Sequence, residues 1–222
     1  MNSSHAIEEF VDRTAEPAVV GFLHLPAQPN GDSIALTHGA GANCKSNLLV
    51  ALSNAFTQDG FTVLRYDLPF RQARSFGPPF AGMAERDRKG IQRAIELLKQ
   101  RTSGRLFAGG HSYGGRQTTM LAAESPELID GLLLLSYPLH PPRKPEQPRT
   151  AHFPKLKTPA LFVQGTRDPF GSLAEMRSAL ALIPGRHRLL EVDGVGHELL
   201  PKKSPGGVPD QIVNAAQEFF SS

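Results

Sequence analysis

Short apolar runs, each too brief to be a helix, leave this chain few ways to fold. VVGFL begins at Val19, GLLLL at Gly131 and ALFV at Ala160, and none of them alternates with polar residues. A strand without alternation must be covered on both faces, the situation of a parallel sheet sandwiched by helices. Strands are expected at 18–25, 33–37, 62–66, 105–108, 131–136, 160–164 and 188–192. Helices are expected between them, at 46–58, 83–101, 113–123, 172–182 and 209–220. In the first helix Leu48, Leu49, Leu52 and Phe56 share one face, and in the second Ile91, Ala94, Ile95 and Leu98 do. Strand–helix alternation from end to end predicts an α/β fold with a mostly parallel sheet, residues 1–222 forming one domain. In such sheets ligands bind beyond the carboxyl ends of the strands, so chemistry is expected in the residues that follow each strand.

Composition narrows the class. The chain has 222 residues, 40% hydrophobic and 20% charged, values of an ordinary globular protein rather than a disordered one. No apolar stretch approaches the ~20 residues of a membrane span. The start, MNSSHAIEEF, has neither the basic nor the apolar part of a secretory signal. A lone cysteine, Cys44, excludes an internal disulfide and four-cysteine zinc sites, and fits a reducing compartment. A soluble, cytoplasmic protein is expected. Lys and Arg total 24 against 21 Asp and Glu, too small an excess for a nucleic-acid-binding face. The densest basic run, Arg143, Lys144, Arg149, Lys155 and Lys157, is broken by prolines and reads as a solvated loop. The other reading of that loop is a surface passed by an anionic substrate.

The chemistry centres on GGHSYGG after the strand at 105–108. Gly110-His111-Ser112-Tyr113-Gly114 places a serine on a sharp strand-to-helix turn, with small residues two before and two after, where side chains would collide. Ser112 is the expected nucleophile; the plainer reading is a helix cap on a tightly packed turn. A serine needs a base, and position eliminates most of the eight histidines. His5 and His24 lie in the N-terminal segment and His187 at the wrong end of its strand, while His111 is expected to point away from the turn. His197, in Gly194-Val195-Gly196-His197-Glu198 after the last strand, is the expected base. Asp168, in the loop after the strand at 160–164, is the expected orienting carboxylate, with Asp67 in reserve and Asp193 shaping the His197 loop. The amides of Tyr113 and Ala40, the latter in His38-Gly39-Ala40-Gly41-Ala42, are expected to hold an oxyanion. That second loop lacks the lysine and hydroxyl of a phosphate-binding P-loop.

With these residues in place the chain resembles the α/β-hydrolase superfamily from Val20 to Phe220. HGAGA, SYPLHPP and LFVQGTRDPFG resemble a narrower hydrolase-like branch, shared by a testis-expressed protein and a subunit of the non-specific-lethal chromatin complex. Dienelactone hydrolases are more distantly similar and use cysteine where Ser112 stands. The resemblance implies the strand–helix sandwich and the triad Ser112, Asp168 and His197. Cys44, before a helix, reads as a small buried residue.

Residues 137–159 hold seven prolines, which excludes a helical cap and predicts an open site edged by a stiff loop, with His140 and Arg143 near the rim. The segment 68–82 is expected to form a second wall. There Phe70, Phe76 and Phe80 would suit an acyl or aryl group and Arg71 and Arg74 an anion, although core packing explains the phenylalanines equally well. The expected function is a serine hydrolase of small carboxylic esters or thioesters, using no metal or organic cofactor. The alternative is a non-catalytic interaction module that keeps the fold, and a peptidase has less support. Acyl specificity and oligomeric state are not legible.

Overall fold

The computed structural model describes residues 5–80, 82–200 and 207–221. Eight strands lie in one sheet in the order β1-β2-β4-β3-β5-β6-β7-β8. They are β1 (Ala6–Asp12), β2 (Val19–Leu25), β3 (Ser33–Thr37), β4 (Thr62–Asp67), β5 (Leu106–His111), β6 (Gly131–Leu135), β7 (Ala160–Gly165) and β8 (His187–Val192). β1 and β2 run antiparallel, and every pairing from β4 to β8 is parallel. The helices are α1 (Asn47–Gln58), α2 (Pro69–Ala73), α3 (Met83–Lys99), α4 (Tyr113–Glu124), α5 (Leu173–Leu180) and α6 (Val208–Ser221).

The unbroken apolar strands are explained by two cores. Leu132 and Leu134 of β6 point into one, packed with Ile91, Ile95 and Leu98 of α3, Leu121 of α4 and Met176 of α5. Leu133 and Leu135 point into the other, packed with Leu49, Leu52 and Phe56 of α1 and Ile212 and Phe219 of α6. Strand side chains alternate between faces, so a sheet covered on both sides needs apolar residues at every position. β1 is different. Its residues Ala6–Glu9 are exposed and it pairs only with β2, at the sheet edge. No strand is expected there, because Glu8 and Glu9 interrupt the apolar residues of AIEEFVD, and no helix is expected for the single turn and a half of α2. α5 is held at its start by a capping box in which Ser172 and Glu175 bond reciprocally.

Strand order decides where a ligand can enter. From β3 the chain passes to β4 on one side, while β5 lies on the other. The connections therefore diverge between β3 and β5, opening a crevice at their carboxyl ends. The HGAGA loop follows β3 and Ser112 follows β5, so both face this crevice. Among the described residues no helix is long and apolar enough to cross a membrane.

Candidate active site

Ser112 occupies the residue between β5 and α4 with φ 50° and ψ −114°, a backbone conformation that a residue with a side chain adopts only under constraint. Its amide donates to the Leu135 carbonyl at 2.8 Å and its carbonyl accepts from the Arg116 amide at 2.9 Å. The turn is pressed against β3. A Cβ on Gly114 would lie 2.6 Å from the His38 carbonyl oxygen, and one on Gly110 2.3 Å from that of Thr37. Glycine at both positions is therefore a packing requirement.

His197 reaches this turn from the loop after β8. Its Nε2 lies 2.9 Å from Ser112 Oγ and its Nδ1 2.8 Å from Asp168 Oδ2. The Asp168 side chain is fully buried, and its other oxygen accepts from the Phe170 amide at 2.8 Å. Asp168 thus accepts from Nδ1–H, which leaves Nε2 to accept from the serine. The Phe170 ring packs on the His197 ring, centroids 4.2 Å apart. Asp193 accepts from the Thr166 hydroxyl at 3.2 Å, on the loop rather than at the imidazole. Asp67, the reserve carboxylate, instead accepts from the Cys44 amide at 2.6 Å.

His111 departs from expectation. Its ring lies 4.9 Å from that of His197 and its Nε2 is 2.8 Å from the His197 carbonyl, so it braces the loop that carries the imidazole. Burial and the neighbouring His197 hold it below its usual proton affinity. A neutral His111 donates from Nε2 to that carbonyl.

The loop after β3 is fixed from two sides. The Leu68 amide donates to His38 Nε2 at 3.1 Å, so the His38 proton sits on Nδ1 and is donated to the Gly39 carbonyl at 2.8 Å. That carbonyl belongs to the same planar peptide as the Ala40 amide, so holding one aims the other. Among the described residues the Ala40 amide donates to nothing. Burial lowers the His38 pKa to about 4, with Asp67 opposing, which keeps the ring neutral. From the other side Arg71 donates to the Ala42 carbonyl at 2.7 Å and the Ala40 carbonyl at 2.9 Å. Tyr113, the first residue of α4, carries an amide with no carbonyl one turn back in its helix. Its hydroxyl donates at 2.7 Å to Asp87, a fully buried carboxylate that also accepts from the Phe70 amide at 3.0 Å. Burial raises the pKa of Asp87.

Residues 30–222 match the alpha/beta hydrolase domain family. The chain belongs to that family. The hydrolase domain is also similar in structure to a dienelactone hydrolase from Anabaena variabilis (TM-score 0.77, 20% identity), covering 98% of this chain and 97% of that one. Est1E from Butyrivibrio proteoclasticus is similar at TM-score 0.74 and 15% identity, over 96% of this chain and 99% of that one. An esterase from Pyrococcus furiosus is similar at TM-score 0.72 and 15% identity, over 99% and 93%.

In the hydrolase domain Ser112, Tyr113, His111 and His197 border a cleft of about 590 Å³ together with residues 39–42. Pro78 and Pro79 form one wall, and Pro138 and Arg149, from the proline-rich segment, form another. Both segments expected to form walls do so, 68–82 through its expected prolines Pro78 and Pro79 rather than its phenylalanines, and 137–159 through Pro138 and Arg149 rather than His140 and Arg143. Phe70 is 1% exposed and packs edge-on against His38 and Tyr113 in the core. Arg71 is occupied by backbone carbonyls of the loop and does not line the cleft. His140 borders a separate hollow of about 470 Å³, with Glu175 3.5 Å away. Arg143 is exposed on a turn with φ 61°, away from the cleft. Phe76 and Phe80 lie on the surface, stacked with Arg74. Cys44 is buried, its thiol pushed up to about 12 chiefly by desolvation, so it is no nucleophile.

Arg116, Phe170 and Glu198, not expected as site residues, also line the cleft, and so does Arg149, expected only as part of the basic, proline-broken loop whose other reading is a surface passed by an anionic substrate. Arg116 was within reach of helical spacing, being one turn beyond Ser112. Which residue of the basic loop reaches the cleft was not legible, because it depends on the path of an irregular segment; it is Arg149 and not Arg143. Among the described residues no three His, Cys, Asp or Glu side chains gather as a metal site.

Proposed function

We propose that this hydrolase domain cleaves carboxylic esters or thioesters through an acyl-enzyme, with Ser112 as nucleophile. The observation that carries the reading is the imidazole of His197 held between Ser112 Oγ at 2.9 Å and Asp168 Oδ2 at 2.8 Å. Ser112 Oγ attacks the carbonyl carbon as its proton passes to His197 Nε2. The buried Asp168 carboxylate favours the resulting imidazolium and fixes its orientation. Negative charge collects on the former carbonyl oxygen, where the amides of Ala40 and Tyr113 meet it. The tetrahedral intermediate collapses, the alcohol or thiol leaves with the proton from His197, and water repeats the sequence on the acyl-serine. No metal or organic cofactor takes part. The esterase and dienelactone hydrolase neighbours support an ester substrate of small size. The HGAGA, SYPLHPP and LFVQGTRDPFG stretches support kinship with the hydrolase-like branch, and a single buried cysteine supports a cytoplasmic setting.

Replacing Ser112 with Ala is expected to lower turnover of p-nitrophenyl acetate by about 10⁴-fold or more without unfolding the domain. A fluorophosphonate probe is expected to label the native chain at Ser112 and to spare the variant. Equal turnover by both proteins, or no labelling of the native one, would dispose of the serine mechanism and leave a non-catalytic module.

A further inference from the structure

The cleft carries two arginines that the ester chemistry does not use. Arg116 stands on the first turn of α4, four residues past Ser112, and Arg149 comes from the proline-rich segment on the facing wall. Some other arginines sit against carboxylates, Arg93 against Asp12 at 3.3 Å and Arg105 against Asp32 at 2.6 Å, and Arg71 is satisfied by four backbone carbonyls. Among the described residues neither Arg116 nor Arg149 has a carboxylate partner. Arg116 Nε is buried and donates to nothing, while Arg149 makes one long side-chain bond, Nη1 to the Pro138 carbonyl at 3.4 Å. Arg149 is held in place through its backbone, its amide donating to the Leu139 carbonyl and its carbonyl accepting from the Tyr137 hydroxyl, both at 2.7 Å. The two cations also feel each other, since after burial the charge of Arg116 is the next influence lowering the proton affinity of Arg149.

Two like charges on one half-buried surface repel, and desolvation strengthens that repulsion. An anion between them removes it. The acid that shares the lining is Glu198, exposed beside His197, and it pairs with neither arginine. Guanidinium groups present planar, paired donors that match a carboxylate.

Resting on the serine-ester reading above, we propose that the substrate is an ester or thioester that also bears a free carboxylate, recognised by Arg116 and Arg149. The carboxylate sits on the wall formed by α4 and the proline-rich segment, leaving the reacting carbonyl to Ser112 and the amides of Ala40 and Tyr113. Neutral esters of equal size fill the cleft but leave the two cations uncompensated.

Matched pairs of probes test this. On the acyl side mono-p-nitrophenyl adipate is compared with p-nitrophenyl hexanoate; on the leaving-group side 4-acetoxybenzoate is compared with phenyl acetate. The carboxylate member of at least one pair is expected to show a kcat/KM tenfold or more above its neutral partner. That preference is expected to fall about tenfold in Arg116→Met and again in Arg149→Met. A merely structural role for either arginine would lower both members together and leave the ratio intact, which would overturn its assignment. Neutral members favoured in both pairs would overturn the proposal, and 4-acetoxyphenyl phosphate turned over better than 4-acetoxybenzoate would replace the carboxylate by a phosphate. Binding of the adipic and hexanoic mono-4-nitroanilides, measured by calorimetry, gives a readout independent of turnover. Tight binding of the adipic anilide with no ester hydrolysed would sink the serine mechanism and keep the anion site. Equal binding of both anilides would sink the anion site whatever the esters do.

Discussion

Arg71 shows how a residue type can mislead about a role. An arginine beside a candidate site suggests an anion, yet its guanidinium is spent on the carbonyls of Ala40, Ala42, Gly77 and Arg74. With His38 it clamps the loop whose Ala40 amide is proposed to hold the oxyanion. Such a clamp acts through the aim of a donor rather than by touching substrate. Removing it by Arg71→Met is therefore expected to reduce kcat by about ten- to a hundredfold while KM changes less than threefold, since a lost oxyanion donor costs that much or more. Steady-state kinetics on a neutral p-nitrophenyl ester would check it, and an effect confined to KM would show that Arg71 does not steer the oxyanion amide. The direct roles proposed for Ser112, Asp168 and His197 were more legible, because each follows a strand and each residue type has few other uses in that place.

At the level of elements, the turn between β5 and α4 is tightened by contact with β3. The His38 carbonyl accepts from the Gly114 amide at 3.2 Å and would meet any side chain added at Gly114. Gly114→Ala is expected to cost about 1–3 kcal/mol, as overpacking of a filled site does, and to displace Ser112 from His197. Chemical denaturation should register the first effect and esterase assay the second; a variant as stable and as active as the native chain would mean that the turn yields freely. Strands buried on both faces were readable from their unbroken apolar runs, and the long helices from their periodicity. β1 was not, because an edge strand with exposed acidic residues has little apolar signal to give. The wall residues were displaced for a similar reason. Phe70 satisfies either a core or a pocket, and only its position on α2, against Tyr113, decides for the core.

Across the whole molecule, four histidines among the described residues are held in the neutral form, His111 beside the cleft and three others. His24, whose Nε2 accepts from Arg65 Nε at 2.8 Å, His38 and His152 are each lowered from 6.5 to about 4, mainly by desolvation. As pH falls from 6.5 towards 4 the unfolded chain takes up a proton at each site and the folded chain does not. Unfolding therefore becomes more favourable through that window, and above it these groups contribute no pH dependence. Calorimetric melting between pH 7.5 and pH 4.5 is expected to show a steady fall in Tm beginning near pH 6.5. His152→Gln, which deletes one of the three sites, should flatten that fall, whereas a Tm constant down to pH 4.5 would contradict the burial of these rings in neutral form.

The sequence by itself determined the α/β architecture, the turn at Ser112 and the order in which Ser112, Asp168 and His197 follow their strands. Those features are written in local patterns, since hydrophobic periodicity and obligatory glycines act within a few residues. Tertiary structure alone decided which side chains face the cleft and which serve the scaffold. Arg71, Arg116 and Arg149 carry the same guanidinium. One is consumed by backbone carbonyls and two are left without a counter-charge, because the paths of α2, α4 and the proline-rich segment set what each can reach.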